Sequence, residues 1–383
     1  MKRFAIFCML FVILATTFCT SMQTFAFAES PMDLKSKSGI LMDYSSKEVL
    51  FEKDADKELP VASMVKMMTI LLTLDEFDAG RLTEQTMITT TENASSMGGS
   101  QVFIDPFVDY SAGDLLKSVI MASANDASVA LAEHISGSEE GFVVKMNEKA
   151  KAIGMTNTNY VNCTGLPAPE QYSSARDSAL LLCEVTGHEL YHKYSTIWMD
   201  ELTHPSGRKT GLVNTNRLVR YYEGCDGGKT GSTNEAGCCL SASAKRNNMR
   251  LISVIVGAPN SQTRFNECSK LFNYGFANYE NKTLVSSSSA LDTVAVNKGK
   301  IDKVDLFAEE DFSAVVKKGS KDSFEVSMQK PESVSAPTKS GESVGKIIIS
   351  RNGNVVKEIN MIVKADLEKM SLFDGLGKIV KAW

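Results

Sequence analysis

Lys229-Thr230-Gly231, followed by Ser232, is the most informative segment of this 383-residue chain for its fold class. It comes just before residues 239–244, a run of small and apolar residues typical of a buried strand. Two further segments lie upstream, Ser63-Met64-Val65-Lys66 and then Ser123-Ala124-Asn125, and both lie among helical patterns. Helices followed by strands in this arrangement predict an α/β region with an inserted helical region.

These segments also occur elsewhere in the chain, and their surroundings distinguish the copies. The spacing S-x-x-K recurs at three other serines, namely Ser206, Ser327 and Ser343. Only Ser63 begins a helical run, which places its lysine one turn later on the same face of the helix. A second K-T-G lies at residues 209–211, in a polar stretch that predicts a loop rather than a strand. The copy at residues 229–231 is therefore the one expected beside the serine.

Ser63 and Lys66 have the arrangement of a nucleophile and its base. A serine hydroxyl is a weak nucleophile until a base removes its proton. The chain has 4 histidines and no G-x-S-x-G segment, so a Ser-His-Asp triad has little support. Lysine serves as the base when burial, a nearby cation or a helix N-terminus lowers its pKa. We expect all three effects at Lys66, with Lys229 as the cation.

Ser123 and Asn125 are expected to serve the same reaction. Ser123 would relay a proton between Lys66 or Lys229 and the leaving nitrogen. Asn125 would bind the acyl chain of the substrate and orient Lys66. The candidate catalytic residues are therefore Ser63, Lys66 and Ser123.

The K-T-G segment is expected to bind the substrate. Lys229 and Thr230 would hold a terminal carboxylate, and Gly231 would let the substrate backbone lie flat on the strand edge. The backbone N–H groups of Ser63 and Ser232 would form the oxyanion hole. The expected substrate-binding residues are therefore Asn125, Lys229, Thr230, Gly231 and Ser232.

The three segments together form a signature of serine enzymes that act on acyl-D-alanine or β-lactam groups. Further stretches match one such family, at residues 123–127, 162–166, 214–218 and 226–231. The chain resembles the serine-type D-Ala-D-Ala carboxypeptidases, which are low-molecular-mass penicillin-binding proteins.

The resemblance implies both a fold and a reaction. The fold is α/β, with a β-lactamase/transpeptidase-like catalytic domain (a sheet flanked by helices plus a helical subdomain) and a small all-β sandwich after it. The reaction is the removal of the terminal D-Ala from peptidoglycan stem pentapeptides through an acyl-enzyme on Ser63, with no metal or organic cofactor. β-Lactam antibiotics are expected to acylate the same serine.

Composition divides the chain into four segments. Residues 1–28 have the charged start, apolar run and small-residue cleavage site of a secretory signal peptide. Residues 29–282 form the expected catalytic domain, and residues 283–366, which begin with a linker-like serine run, the β-sandwich. Residues 367–383 suit an amphipathic helix on a membrane surface or, alternatively, a helix packed on the protein. We therefore expect an exported protein at the outer face of the cytoplasmic membrane, in the cell-wall space.

Charge and metal-binding patterns exclude other classes of protein. The formal net charge is -5 and no basic stripe is present, so nucleic acid is not an expected partner. The 8 cysteines form no C-x-x-C pair, and those beyond the signal segment are expected to be small buried apolar side chains. His188 and His192 formally match H-E-x-x-H, but the long helix and the third ligand of a zinc protease are not evident. No metal site is expected.

Two alternative functions remain open at this point. A class A-like β-lactamase shares the signature, but it needs a deacylating glutamate, and none can be assigned in this sequence. A non-catalytic scaffold that binds peptidoglycan would keep its function when Ser63 is replaced by alanine.

Overall fold

The computed structural model describes residues 32–371 and residue 374. The predicted signal peptide at 1–28 and most of the predicted helix at 367–383 lie outside these residues. The described helices and strands all belong to one compact unit that begins at Lys35. Within the described residues, no helix combines the length and the apolar character needed to span a bilayer.

Residues 38–278 contain both helices and strands. The strands are, in chain order, β1 (Ser38–Asp43), β2 (Val49–Lys53), β3 (Met87–Thr89), β4 (Asp109–Ser111), β5 (Met199–Thr203), β6 (Lys209–Val213), β7 (Cys225–Thr233), β8 (Gly237–Arg246) and β9 (Met249–Ala258). The helices are α1 (Lys66–Asp78), α2 (Glu92–Ser95), α3 (Ala112–Ala122), α4 (Asn125–Ser136), α5 (Glu139–Ala152), α6 (Ala175–Val185), α7 (Glu189–Ser195), α8 (Leu218–Tyr221) and α9 (Ser261–Asn278). The predicted α/β pattern is therefore present.

A five-stranded antiparallel sheet, in the order β2-β1-β9-β8-β7, forms the centre of this region. Nearly every residue of β9 is buried, so both faces of the sheet are covered. Helices α6 and α9 both pack against this strand. The strand that carries the expected K-T-G, β7, lies at one edge of the sheet, so one of its sides can receive a partner.

Helices α3 and α4 are separated where the sequence predicts it. Ser123 adopts a left-handed conformation (φ 61°, ψ 35°) directly after α3, and Asn125 is the first residue of α4. The other end of α3 is capped by Ser111, whose hydroxyl accepts a hydrogen bond from the Asp114 N–H. Apolar side chains of α1, α3 and α4 share one buried core, which fixes the position of the turn between α3 and α4.

The predicted loop at residues 209–211 is wrong, because this second K-T-G begins strand β6. Strands β5 and β6 form a separate antiparallel pair. Leu202 and Leu212 are the buried residues of these two strands, and their other side chains are partly or fully exposed. A surface ribbon of this kind has the polar composition of a loop, which explains the wrong prediction.

The C-terminal region is a β-sandwich. Its strands are β10 (Tyr279–Val285), β11 (Asp292–Asn297), β12 (Lys303–Ala308), β13 (Phe312–Lys317), β14 (Phe324–Gln329), β15 (Ser333–Ser335), β16 (Ser343–Arg351) and β17 (Asn354–Ile362). Six of them form a sheet in the order β14-β16-β17-β12-β11-β15, while β10 pairs with β13. The predicted hairpin around Asn352 and Gly353 joins β16 to β17, with positive φ at both residues (53° and 83°).

The serine run at residues 286–289 is not a linker between domains, as its composition suggested. It connects β10 to β11 inside the β-sandwich, and both the N–H and the hydroxyl of Ser287 donate to Asp311. Strand β10 already pairs with β13, so the chain enters the sandwich before the run begins. The predicted boundary at residue 283 falls within β10 and stays a prediction.

The cysteines beyond residue 31 are free thiols. Five of them are buried: Cys163, Cys183, Cys225, Cys239 and Cys268. Cys238 is partly exposed, and its neighbour in β8 is fully buried because successive side chains of a strand point to opposite faces. Five thiols therefore pack as the small apolar side chains that the sequence predicts.

Candidate active site

Ser63 and Lys66 lie at the junction of a short turn and a helix. A 3-10 turn, Ala62–Val65, leads directly into α1, whose first residue is Lys66. The Ser63 Oγ and the Lys66 Nζ are 3.2 Å apart. The Lys66 ammonium group also donates to the backbone carbonyl of Thr164. The predicted nucleophile and base are thus within hydrogen-bonding distance.

Burial changes the acid–base behaviour of Lys66. Its side chain is fully buried, and this desolvation lowers its pKa to about 7. The Cys163 thiol and the Asp126 carboxylate act in the opposite direction, but their effect is smaller. A substantial fraction of Lys66 is therefore neutral near pH 7 and can accept a proton.

A second serine–lysine pair lies in the same part of the molecule. The Lys229 Nζ donates to the Ser123 Oγ at 2.7 Å and to the carbonyl of Thr230 at 3.1 Å. Burial lowers the pKa of Lys229 well below its usual range, and the positive charge of Lys66 lowers it further. The left-handed turn at Ser123 and strand β7 bring these two residues together across 106 positions of sequence.

Asn125 does not make the contact with Lys66 that the sequence suggested. Its side-chain Nδ2 donates to the carbonyl of Gly98 at 2.6 Å, and its backbone N–H donates to the carbonyl of Ser100 at 2.7 Å. The Thr164 carbonyl holds Lys66 instead. The Asn125 Oδ1 is buried and has no hydrogen-bond partner among the described residues. A buried oxygen without a hydrogen-bond partner destabilises the fold, and an N–H group of a bound ligand would offset this cost by donating to it.

Strand β7 packs directly against the turn that carries the serine. A Cβ atom on Gly231 would lie 2.4 Å from the Val61 carbonyl oxygen and 3.1 Å from the Ser63 nitrogen. Glycine is therefore required there, because any larger residue would separate the strand from the turn. Ser232, the next residue, pairs with Cys238 in β8.

A cavity of about 620 Å³ opens at this point of contact. Five residues of the expected site line it, namely Ser63, Ser123, Thr230, Gly231 and Ser232. Lys66, Lys229 and Asn125 are buried, and each forms a hydrogen bond with a residue that lines the cavity: Ser63, Ser123 and Ser100, respectively. The structure thus places five of the expected site residues on the cleft and the other three directly behind its wall.

Three contributors to the cleft were missed from the sequence. Thr164 and Gly98 act through backbone carbonyls, so their side chains give no signal. Arg264, on α9, also lines the cavity, and its Nη1 donates to the carbonyls of Gly231 (3.0 Å) and Cys239 (3.3 Å). An isolated arginine in a helix carries no motif. The only available signal was the match at residues 162–166, which marked a loop but no role.

The histidines of the H-E-x-x-H match have separate structural partners. His188 Nδ1 lies 2.7 Å from the Asp78 carboxylate, and His192 contacts the carbonyls of Asp226 and Thr186. Helix α7 is only 7 residues long. Over residues 32–371, no group of three histidine, cysteine or acidic side chains is placed to hold a metal ion.

Comparisons with known proteins match this geometry. A sequence model described as D-alanyl-D-alanine carboxypeptidase matches residues 25–260. The chain belongs to the D-alanyl-D-alanine carboxypeptidase family. A second model, described as the C-terminal domain of penicillin-binding protein 5, matches residues 279–369.

Members of the family resemble this chain over most of its length. D-alanyl-D-alanine carboxypeptidase DacF of Bacillus subtilis (strain 168) is 38% identical over 350 residues, which cover 91% of this chain and 90% of that protein. DacC of Escherichia coli (strain K12) is 36% identical over 353 residues, covering 90% and 87%. The crystal structure of penicillin-binding protein 5 from Haemophilus influenzae superposes with a TM-score of 0.71 at 32% identity, covering 89% of this chain and 99% of that one.

Proposed function

We propose that the chain is an exported serine carboxypeptidase that removes the terminal D-Ala from peptidoglycan stem pentapeptides through an acyl-enzyme on Ser63. Family membership supports the activity of a D-alanyl-D-alanine carboxypeptidase of the penicillin-binding type. One observation carries the assignment of residues. Two buried lysines, each within hydrogen-bonding distance of a serine hydroxyl, meet at one cleft.

Acylation begins with proton transfer inside the first pair. Neutral Lys66 takes the proton of the Ser63 hydroxyl, and the Ser63 Oγ forms a bond to the carbonyl carbon of the penultimate D-Ala. The carbonyl oxygen becomes an oxyanion, which the backbone N–H groups of Ser63 and Ser232 stabilise. A base with a pKa of about 7 suits this step at neutral pH, because both its basic form and its protonated form are accessible.

Release of D-Ala uses the second pair. The bond between the carbonyl carbon and the D-Ala nitrogen breaks, and that nitrogen receives a proton through Ser123, whose hydroxyl accepts a hydrogen bond from Lys229. The proton comes from the lysine that the first step protonated. Water then attacks the Ser63 ester, and the shortened peptide leaves with a free carboxylate.

The strand edge and the arginine hold the substrate. Lys229, Thr230 and Arg264 are the polar groups near the K-T-G strand that can bind the terminal carboxylate. The unpaired Asn125 Oδ1 can accept a hydrogen bond from an amide N–H of the acyl chain. β-Lactam antibiotics present a reactive acyl group and a carboxylate, so they would acylate Ser63 through the same contacts.

The proposed location rests on the two ends of the sequence. The signal-peptide pattern at 1–28 supports export, and the amphipathic pattern at 367–383 supports attachment to the outer face of the cytoplasmic membrane. The peptidoglycan substrate is found in that space.

Intact mass measured over time with benzylpenicillin tests the proposal. The wild-type protein should gain one persistent drug adduct, and Ser63→Ala should gain none. Ser206→Ala is the matched control, because it removes the serine of another S-x-x-K copy on an exposed turn, and it should be acylated like the wild type. Rapid return to the unmodified mass with loss of drug would indicate a β-lactamase. If the protein shows neither an adduct nor a loss of drug, the non-catalytic scaffold is the remaining function.

A further inference from the structure

The catalytic cleft extends beyond the residues that the proposed reaction uses. Trp198 and Tyr221 also line the cavity, with ring centroids 6.0 Å apart and ring planes inclined by 67°. Tyr221 is 70% exposed, which is unusual for a large aromatic side chain. Trp198 and Tyr221 together form an aromatic wall. A cavity of about 620 Å³ accommodates a ligand larger than a dipeptide, so the wall can contact substrate.

Positive charge accumulates beside the aromatic wall. Arg217 lines the cavity and is exposed, and no acidic side chain among the described residues lies within ion-pair distance of it. Its charge is close enough to Arg264 to help lower the pKa of that guanidinium. The Arg220 guanidinium lies 5.5 Å from the Trp198 ring centroid and 5.6 Å from the Tyr221 ring centroid. These cation–π contacts stabilise the position of the two rings.

The terminal carboxylate of the substrate does not account for this charge. Lys229, Thr230 and Arg264 already provide cationic and hydroxyl groups at the K-T-G strand. Arg217 is a further cation on the same cavity, whose wall also contains the Trp198 and Tyr221 rings. A cavity that combines such an arginine with aromatic rings is suited to a ligand with an apolar stem and an anionic end.

We propose that Arg217 and the aromatic wall form a second anion-binding subsite, which takes a carboxylate at the end of an aliphatic side chain next to the D-Ala-D-Ala terminus. This inference rests on the proposed function. The methylene groups of that side chain pack on Trp198 and Tyr221, and the carboxylate pairs with the guanidinium. The enzyme therefore selects acidic stem peptides over peptides that lack the second carboxylate.

Two synthetic substrates isolate that carboxylate. N-acetyl-diaminopimelyl-D-Ala-D-Ala and N-acetyl-lysyl-D-Ala-D-Ala differ by one carboxylate, on the carbon that bears the side-chain amine. The wild type should prefer the diaminopimelyl peptide in kcat/KM by about fivefold, the upper end for an exposed ion pair. Arg217→Gln should abolish this preference, and Arg217→Lys, which keeps the charge, should retain part of it.

Arg246→Gln is the matched control. Arg246 is another arginine stacked on two aromatic rings, those of Tyr222 and Phe276, each 4.8 Å away, and it does not line the cavity. The variant loses the same single charge, so it corrects for long-range attraction of an acidic peptide. It should show the same preference as the wild type.

The outcomes separate this inference from the proposed function. Equal kcat/KM values for the two peptides in the wild type would overturn the inference and leave the carboxypeptidase intact. An Arg217→Gln variant that is impaired equally on both peptides would also overturn it, because the residue would then serve the common terminus. Hydrolysis of neither peptide would contradict the proposed function itself. In the wild type, the preference should also fall as salt is raised, since an exposed pair is screened.

Discussion

The two copies of K-T-G in this chain have the same three residues and opposite surroundings. Lys229 is buried and bonds to Ser123, whereas Lys209 is exposed on the ribbon of β5 and β6 and pairs with Glu201. Both copies lie in strands. The tripeptide alone therefore does not determine which partners its lysine has. The copy in β7 differs because it packs against the turn that carries Ser63 and because its lysine is buried near Lys66. These surroundings are the reason why we propose a catalytic role for this copy alone.

Removing each lysine in turn should give the largest contrast between the copies. Lys229→Met replaces a buried cation with an apolar side chain of similar length, so it should leave the fold intact and reduce the rate of acylation by penicillin by about 1,000-fold. Lys209→Met removes an exposed ion pair and should leave the acylation rate within about twofold of the wild type. Stopped-flow or mass-based acylation kinetics measure both. Similar losses in the two variants would remove the distinction between the copies.

The two glycines should show the next largest contrast. A Cβ atom at Gly231 would overlap the Val61 carbonyl oxygen, but a Cβ atom at Gly211 meets nothing within 4 Å. Gly231→Ala should therefore destabilise the fold by about 1–3 kcal/mol and slow acylation, because β7 must move away from the serine turn. Gly211→Ala should change neither. Thermal unfolding and acylation rates of the two variants test this, and a harmless Gly231→Ala would show that the close contact is not needed.

The dependence of the acylation rate on pH also distinguishes the two lysines, because only the copy in β7 lies near Lys66. Burial lowers the pKa of Lys66 to about 7, and the proposed reaction uses its neutral form as the base. The acylation rate should therefore be constant above that pH and fall by about tenfold for each pH unit below it. Lys209→Met should follow the same profile as the wild type. A midpoint near the ordinary pKa of lysine would mean that burial does not set the reactivity of Lys66.

The sequence predicted the local parts of the site better than the distant ones. Helical spacing alone places Lys66 beside Ser63, because three residues make nearly one turn. No spacing rule joins Ser123 to Lys229, and that pair was expected only because the three segments form a known signature. The α/β region, the β-sandwich and the hairpin at Asn352 followed from periodicity and turn residues, and the structure has them.

Other features have no signature in a single sequence. The carbonyl groups of Thr164 and Gly98 hold site residues through the backbone, which is the same in every residue type. The strand at Lys209 has polar side chains because it is exposed on the surface, so its composition is that of a loop. The serine run at 286–289 looks flexible, yet its contact with Asp311 lies 24 residues away in the sequence. Each of these depends on tertiary contacts.

The buried free thiols can report on local opening of the structure. Cys163 lies in the loop that holds Lys66, while Cys225 and Cys239 lie in β7 and β8 of the central sheet. A buried thiol reacts with an alkylating reagent only when its surroundings open. The labelling rate of each cysteine would thus measure the free energy of local opening at its own position. The movement of the loop and of the sheet beside Ser63 could be followed without introducing any new cysteine.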